Sequence, residues 1–169
     1  MNRRQIATLA VSSAAAVGGG WMLTSREHAP EFAPEISYTL LDRSVVTTTQ
    51  LKGQVVLVNF WATSCSSCVA ELPQLVRTHQ RFQARGYATL AVAMKYDAPA
   101  HVARFAEEHH LPFGVAIDNT GQIAQGFGDV KLTPTSFLID RQGKLVKRFV
   151  GAPDFAALDG LIERLLLPA

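Results

Sequence analysis

Seven consecutive residues, Val55-Val56-Leu57-Val58-Asn59-Phe60-Trp61, are apolar except for one asparagine. A β-branched run with no alternation predicts a strand buried on both faces. The pattern then changes period. From Ser67 to about Arg85, the positions Val69, Leu72, Leu75, Val76 and Phe82 recur at helical spacing, and Gly86 ends that helix. Tyr87 to Met94 is a second apolar strand. Ala98 to His110 reads as a helix with Pro99 in its first turn. Phe113 to Ile117 is a short strand, and Thr120 to Phe127 a short helix closed by Gly126 and Gly128. Thr135 to Ile139 and Lys144 to Val150 are strands joined by the turn Asp140-Arg141-Gln142-Gly143. Asp154 is placed to cap a last helix reaching about Leu167, with Phe155, Leu158, Leu161, Ile162 and Leu165 on one face.

Upstream of the buried strand, Ile36 to Leu41 and Val45 to Thr48 alternate around Asp42-Arg43-Ser44, a hairpin pattern. Leu51-Lys52-Gly53 is a turn. The order is therefore hairpin, β, α, β, α, β, α, then a β-hairpin and α. Strands alternating with helices predict a partly parallel α/β sheet, and the late hairpin adds an antiparallel portion.

The N-terminus reads differently. Gln5 to Ser25 carry no charge, and Ile6 to Leu23 form a mostly apolar stretch of 18 residues behind Arg3 and Arg4. This length is near the minimum for crossing a bilayer, and the arginines would keep their end in the cytoplasm. The Ala, Gly and Ser content suits a cleaved export signal as well as an anchor. Asn2-Arg3-Arg4-Gln5-Ile6 faintly resembles a twin-arginine signal. Residues 1–25 are thus expected to be a signal-anchor or signal peptide, 26–35 a linker, and 36–169 one folded domain outside the cytoplasm. The net charge of +2 is supplied by Arg3 and Arg4, because the remaining 14 basic residues balance 14 acidic ones. No basic stripe is left to bind nucleic acid.

Only two cysteines occur, in Cys65-Ser66-Ser67-Cys68, where the buried strand turns into a helix. Two cysteines make neither a disulfide framework nor a four-thiolate metal site. A zinc site would need a second ligand pair, and none of the histidines forms an H-x₃₋₅-H pair. A helix N-terminus carries about half a positive charge and stabilises a thiolate, the nucleophilic form. Cys65 is placed to attack, and Cys68, inside the first turn, to resolve the mixed disulfide. Glu71 lies three residues beyond Cys68, among Val69, Leu72 and Leu75. A carboxyl buried there would titrate high and exchange a proton with Cys68. Pro73 falls inside the helix, and Pro134 precedes a strand.

The run VVLVNFWATSCSSCVAELP, with LTPTSFLID further on, resembles the thioredoxin superfamily. Within it the chain is most similar to the membrane-tethered or exported TlpA/ResA/CcmG-type thiol–disulfide oxidoreductases, redoxin-like domains. The resemblance covers about Phe32 to Leu166. It implies an α/β thioredoxin fold, with a mixed central sheet flanked by helices, an N-terminal β-hairpin and a central αβ insertion. It also implies that Pro134 is a cis-proline beside the cysteines, and that Thr133 offers backbone groups to a bound peptide, with Trp61 as a second substrate contact. Asn59 stands where thioredoxin keeps a buried aspartate, which leaves Glu71 as the acid. The implied activity needs no cofactor and no metal. It would reduce substrate protein disulfides, in cytochrome c maturation or at copper-site thiols, recharged by a membrane electron donor of the DsbD/CcdA type.

Two departures leave the electron direction open: Ser64 replaces the usual tryptophan, and Ser66-Ser67 replaces a proline-containing pair. Serine hydroxyls there would donate to the Cys65 thiolate and lower its pKa. The alternatives are a thiol peroxidase of the redoxin group, although Ala62 stands where its T-x-x-C threonine belongs, and a copper-binding chaperone, although its C-x-x-x-C is one residue longer.

Overall fold

The computed structural model describes residues 32–168. The apolar N-terminal segment, and with it the choice between anchor and cleaved signal, lies outside the described residues. Among the described residues no helix is long and apolar enough to cross a membrane.

The elements follow the predicted order. The strands β1 (Ser37–Thr39) and β2 (Val45–Thr47) pair as a small antiparallel hairpin. The main sheet takes β3 (Val55–Trp61), β4 (Tyr87–Ala93), β5 (Gly114–Ile117), β6 (Thr135–Ile139) and β7 (Leu145–Val150) in the order β5-β4-β3-β6-β7. The pairs β3–β4 and β4–β5 are parallel, and β3–β6 and β6–β7 antiparallel. The helices are α1 (Ser66–Phe82), α2 (Pro99–Glu108), α3 (Gln122–Gly126) and α4 (Phe155–Leu166). The mixed sheet, the N-terminal hairpin and the inserted α2–β5 unit are the expected architecture.

Every residue of β3 is buried, which is why its sequence does not alternate. Its side chains still point to opposite faces in turn. Val55, Leu57 and Trp61 pack with Leu72 and Leu75 of α1 and with Leu158 and Ile162 of α4. Val56, Val58 and Phe60 pack on the other face with Tyr38 of the hairpin and with Ile123 and Phe127 around α3.

Boundaries differ where polar groups intervene. The helix α3 starts at Gln122, later than Thr120, because Gly121 is left-handed (φ 81°) and the Asp118 carboxylate accepts from the N–H groups of Ile123 and Ala124. The helix α2 stops at Glu108, before the expected His110, whose backbone turns left-handed at φ 48°. The helix α1 runs through Pro73, whose missing N–H leaves the Val69 carbonyl without its helical donor. Of the expected linker 26–35, residues 26–31 lie outside the described residues, and the remainder contacts the sheet region. Phe32 bridges Lys144, Ala33 N–H donates to the Gly143 carbonyl at 2.9 Å, and the Thr48 hydroxyl donates to the Pro34 carbonyl at 2.7 Å. These contacts hold residues 32–34 against the strands and turns that follow.

Candidate active site

Three connections meet at one end of the sheet: the β3–α1 turn, the loop after β4, and the segment leading into β6. Register places them there, since Trp61 pairs with Ala93 and Phe60 with Thr135.

Cys65 is the N-cap of α1, with φ −90° and ψ 101°. Its Sγ accepts from the Cys68 N–H at 3.2 Å, and its carbonyl accepts from the Val69 N–H. The nucleophile candidate thus sits on the unpaired N–H groups of a helix start. Cys65 and Cys68 are joined as a disulfide with Cα atoms 5.2 Å apart. Cys65 is half-buried and Cys68 is 1% exposed, so the first sulfur is the accessible one. Of the two intervening serines, it is Ser67 whose Oγ lies 3.4 Å from the Cys65 Sγ.

Glu71 is buried, at 4% exposed, one turn beyond Cys68. The sequence places it among apolar helical neighbours, and the fold adds a polar partner from across the sheet. Asn59 Nδ2 donates to Glu71 Oε1 at 3.0 Å and to Ser136 Oγ at 2.9 Å. Asn59 and Ser136 face each other in the β3–β6 ladder. Burial pushes the Glu71 carboxyl up to about 7, against the smaller opposing effect of the Asn59 amide. A carboxyl titrating there can hold or release a proton at neutral pH.

The Thr133–Pro134 bond is cis, and Pro134 is buried immediately before β6. Thr133 is half-buried, and its Oγ1 lies 3.4 Å from the Tyr96 hydroxyl. Trp61, expected as a substrate contact, is 1% exposed, and its ring packs 5.3 Å from Phe105 of α2. Its Nε1 is buried and makes no hydrogen bond among the described residues.

Sequence reading missed two features. The buried Asp97 carboxylate accepts from both the Thr63 N–H and, at 2.7 Å, the Thr63 hydroxyl. It ties the loop before Cys65 to the loop after β4. Beside it, Tyr96 is 59% exposed and Leu132, in the segment before Pro134, is 66% exposed. Both are apolar residues in the segments flanking Thr133. Their only sequence signal is position, two residues after a predicted strand and directly before the Thr-Pro-Thr segment.

The Redoxin family pattern matches residues 27–162, four-fifths of the chain. The chain belongs to the redoxin family. This redoxin is 32% identical over 133 residues to "Thiol-disulfide oxidoreductase ResA" of Bacillus thuringiensis strain Al Hakam, covering 79% of this chain and 76% of the relative. It is 34% identical over 119 residues to the ResA of Geobacillus thermodenitrificans, covering 70% and 67%. Among solved structures, a thiol:disulfide interchange protein of the thioredoxin family from Chlorobium tepidum superposes with a TM-score of 0.74. That match is at 27% identity and covers 81% of this chain and 97% of the other. The fold is the thioredoxin fold of the TlpA/ResA/CcmG branch, and the redoxin is a thiol–disulfide oxidoreductase.

Proposed function

We propose that this redoxin works outside the cytoplasm as a reductant of disulfides in substrate proteins, with Cys65 as nucleophile, Cys68 as resolving thiol and Glu71 as proton acceptor. The observation that carries this reading is Cys65 capping α1, bonded to a Cys68 that lies one turn before a buried carboxyl pushed up to about 7.

The steps follow from the geometry. In the reduced protein the Cys65 thiolate attacks one sulfur of a substrate disulfide, and the other substrate sulfur leaves as a thiolate that takes a proton from solvent. A mixed disulfide now joins Cys65 to the substrate. Cys68 gives its proton to the Glu71 carboxylate and attacks the Cys65 sulfur. The second substrate sulfur leaves, and the Cys65–Cys68 bond forms. Two electrons have passed from the dithiol to the substrate. Glu71 then returns the proton to solvent. Thr133, before the cis-Pro134, would pair its backbone with the substrate segment, with Tyr96 and Leu132 offering apolar contact on either side.

Arg3, Arg4 and the apolar Ile6–Leu23 stretch support export with the N-terminus inside, as a membrane anchor or a cleaved signal. A dithiol in that compartment needs recharging, which favours a membrane electron donor of the DsbD/CcdA type. The resemblance to ResA supports substrates among cytochrome c maturation proteins or copper-site thiols.

The test is the reduction potential of the Cys65–Cys68 couple together with trapping. A potential well below that of the strongest disulfide-forming enzymes, ~−120 mV, is expected. A Cys68→Ala variant should accumulate mixed disulfides through Cys65. A potential near ~−120 mV would overturn the reductant role, and absence of any trapped adduct would overturn the exchange mechanism.

A further inference from the structure

The Asn59–Glu71 contact leaves two atoms idle. Asn59 Oδ1 and Glu71 Oε2 are both buried, and neither has a hydrogen-bond partner among the described residues. They belong to two planar groups already joined by Nδ2–H···Oε1 at 3.0 Å. Buried acceptors are rarely left unpaired, and each specific case calls for an explanation. An amide and a carboxylic acid are complementary: the amide N–H donates to the acid carbonyl, and the acid O–H donates to the amide oxygen. One half of that ring is present. The two idle atoms are the acceptor and the oxygen that the other half requires, and the missing piece is a proton. The amide has a fixed orientation, because its second N–H is taken by Ser136 Oγ at 2.9 Å.

We propose that Asn59, held by Ser136, is a positioning residue that holds Glu71 through one hydrogen bond when the carboxyl is ionised and through two, in a closed acid–amide ring, when it carries a proton. The proposal rests on the reading of Glu71 as proton acceptor. The proton leaving the Cys68 thiol goes to Oε2 and is received there by Oδ1, so the carboxyl keeps its place in both states. A lone donor would serve only the ionised form, whereas the amide serves both.

The groups that face Glu71 leave the ring as the local control. Asn59 on β3 and Ser136 on β6 do not titrate. The two cysteines, joined as a disulfide, do not titrate in the oxidised chain. Asp159 and Glu163 of α4 engage Thr78 and Arg81, two or more turns along α1, and Arg85 just past its end. His79 of α1 and Tyr87 of β4 lie at that same far end, linked through Thr89.

The experiment is a pH titration of the oxidised chain carrying ¹³C in asparagine and glutamate side chains, followed by NMR. The Glu71 Cδ resonance should titrate near neutrality and the Asn59 Cγ resonance should move with the same midpoint, since its oxygen gains a bond as the carboxyl gains a proton. In Glu71→Gln the Asn59 movement should vanish. An Asn59 Cγ that stays still while Glu71 Cδ titrates overturns the ring. In Ser136→Ala one Asn59 side-chain N–H should lose at least about tenfold of its protection from solvent exchange, and Ser136→Thr should keep it. Equal protection in Ser136→Ala overturns the role of Ser136. Co-titration combined with an unchanged pH profile of disulfide exchange in Glu71→Gln would uphold the ring and remove Glu71 from the catalytic steps.

Discussion

Glu71 makes a prediction about stability that is independent of catalysis. Its carboxyl titrates at an ordinary 4.5 when exposed and at about 7 in the fold, because burial disfavours the charged form. The sign follows from proton counts. Between these two values the native state holds the proton and the unfolded chain has lost it, so stability falls as pH rises through that window. Below about 4.5 both states are protonated, and above about 7 both are ionised, so the loss is complete there. The shift corresponds to about 3 kcal/mol in full, and to about 2 kcal/mol once residual solvent screening is allowed for. Glu71→Gln keeps shape and polarity and removes the titration. Urea unfolding at pH 5 and at pH 8 should show the native chain losing about 2 kcal/mol more than Glu71→Gln over that interval. All other titrating groups are common to both proteins and cancel in the difference. Parallel pH dependences in the two proteins would refute the argument that burial governs this carboxyl.

Three further outcomes are expected. Ser67→Ala removes the hydroxyl 3.4 Å from the Cys65 sulfur, a donor to its thiolate, and should slow alkylation of Cys65 by iodoacetamide at about pH 7 in the reduced protein. Asp97→Ala deletes both acceptors of Thr63 and should cost about 2–4 kcal/mol in urea unfolding, with faster amide exchange at Thr63. Asp154→Ala strips the α4 N-cap, which holds the N–H groups of Ala156 and Ala157 at 3.0 and 3.2 Å. It should cost about 1 kcal/mol while leaving disulfide exchange unchanged.

What was legible in the chain was whatever local spacing determines. The β3 run, the helical recurrence of Val69, Leu72 and Leu75, and the position of Cys65 at the junction between them each follow from residues within one or two turns. Glu71 was legible as a buried acid for the same reason. What was not legible depends on pairing between distant segments. Ser136 reaches Asn59 across 77 positions and Asp97 reaches Thr63 across 34, and no periodicity encodes either contact. The surroundings of Trp61 were hidden for a related reason. It stands beside the cysteines in sequence, yet its ring packs against Phe105 of α2, a contact no local spacing encodes.

The alternation of β3 decides how these pieces come together. Val55, Leu57, Asn59 and Trp61 share one face, and α1 lies over it. Asn59 is therefore the one polar side chain that β3 sends toward α1, and Glu71 is the residue of α1 that meets it. Since the period is two, a slip of one residue in the β3 ladder would turn Asn59 into the apolar layer of Val56, Val58 and Phe60. The Glu71 carboxyl would then lose its amide and face Phe60 or Val58 instead. The apolar content of β3 alone does not prevent that slip, because both faces accept valine and leucine. The antiparallel pairing with β6 does work against it, since Asn59 opposite Ser136 satisfies two buried polar groups at once. The hydrogen bond that orients the amide toward Glu71 thus also penalises the wrong strand register, and the fold and the proton-handling site depend on the same contact.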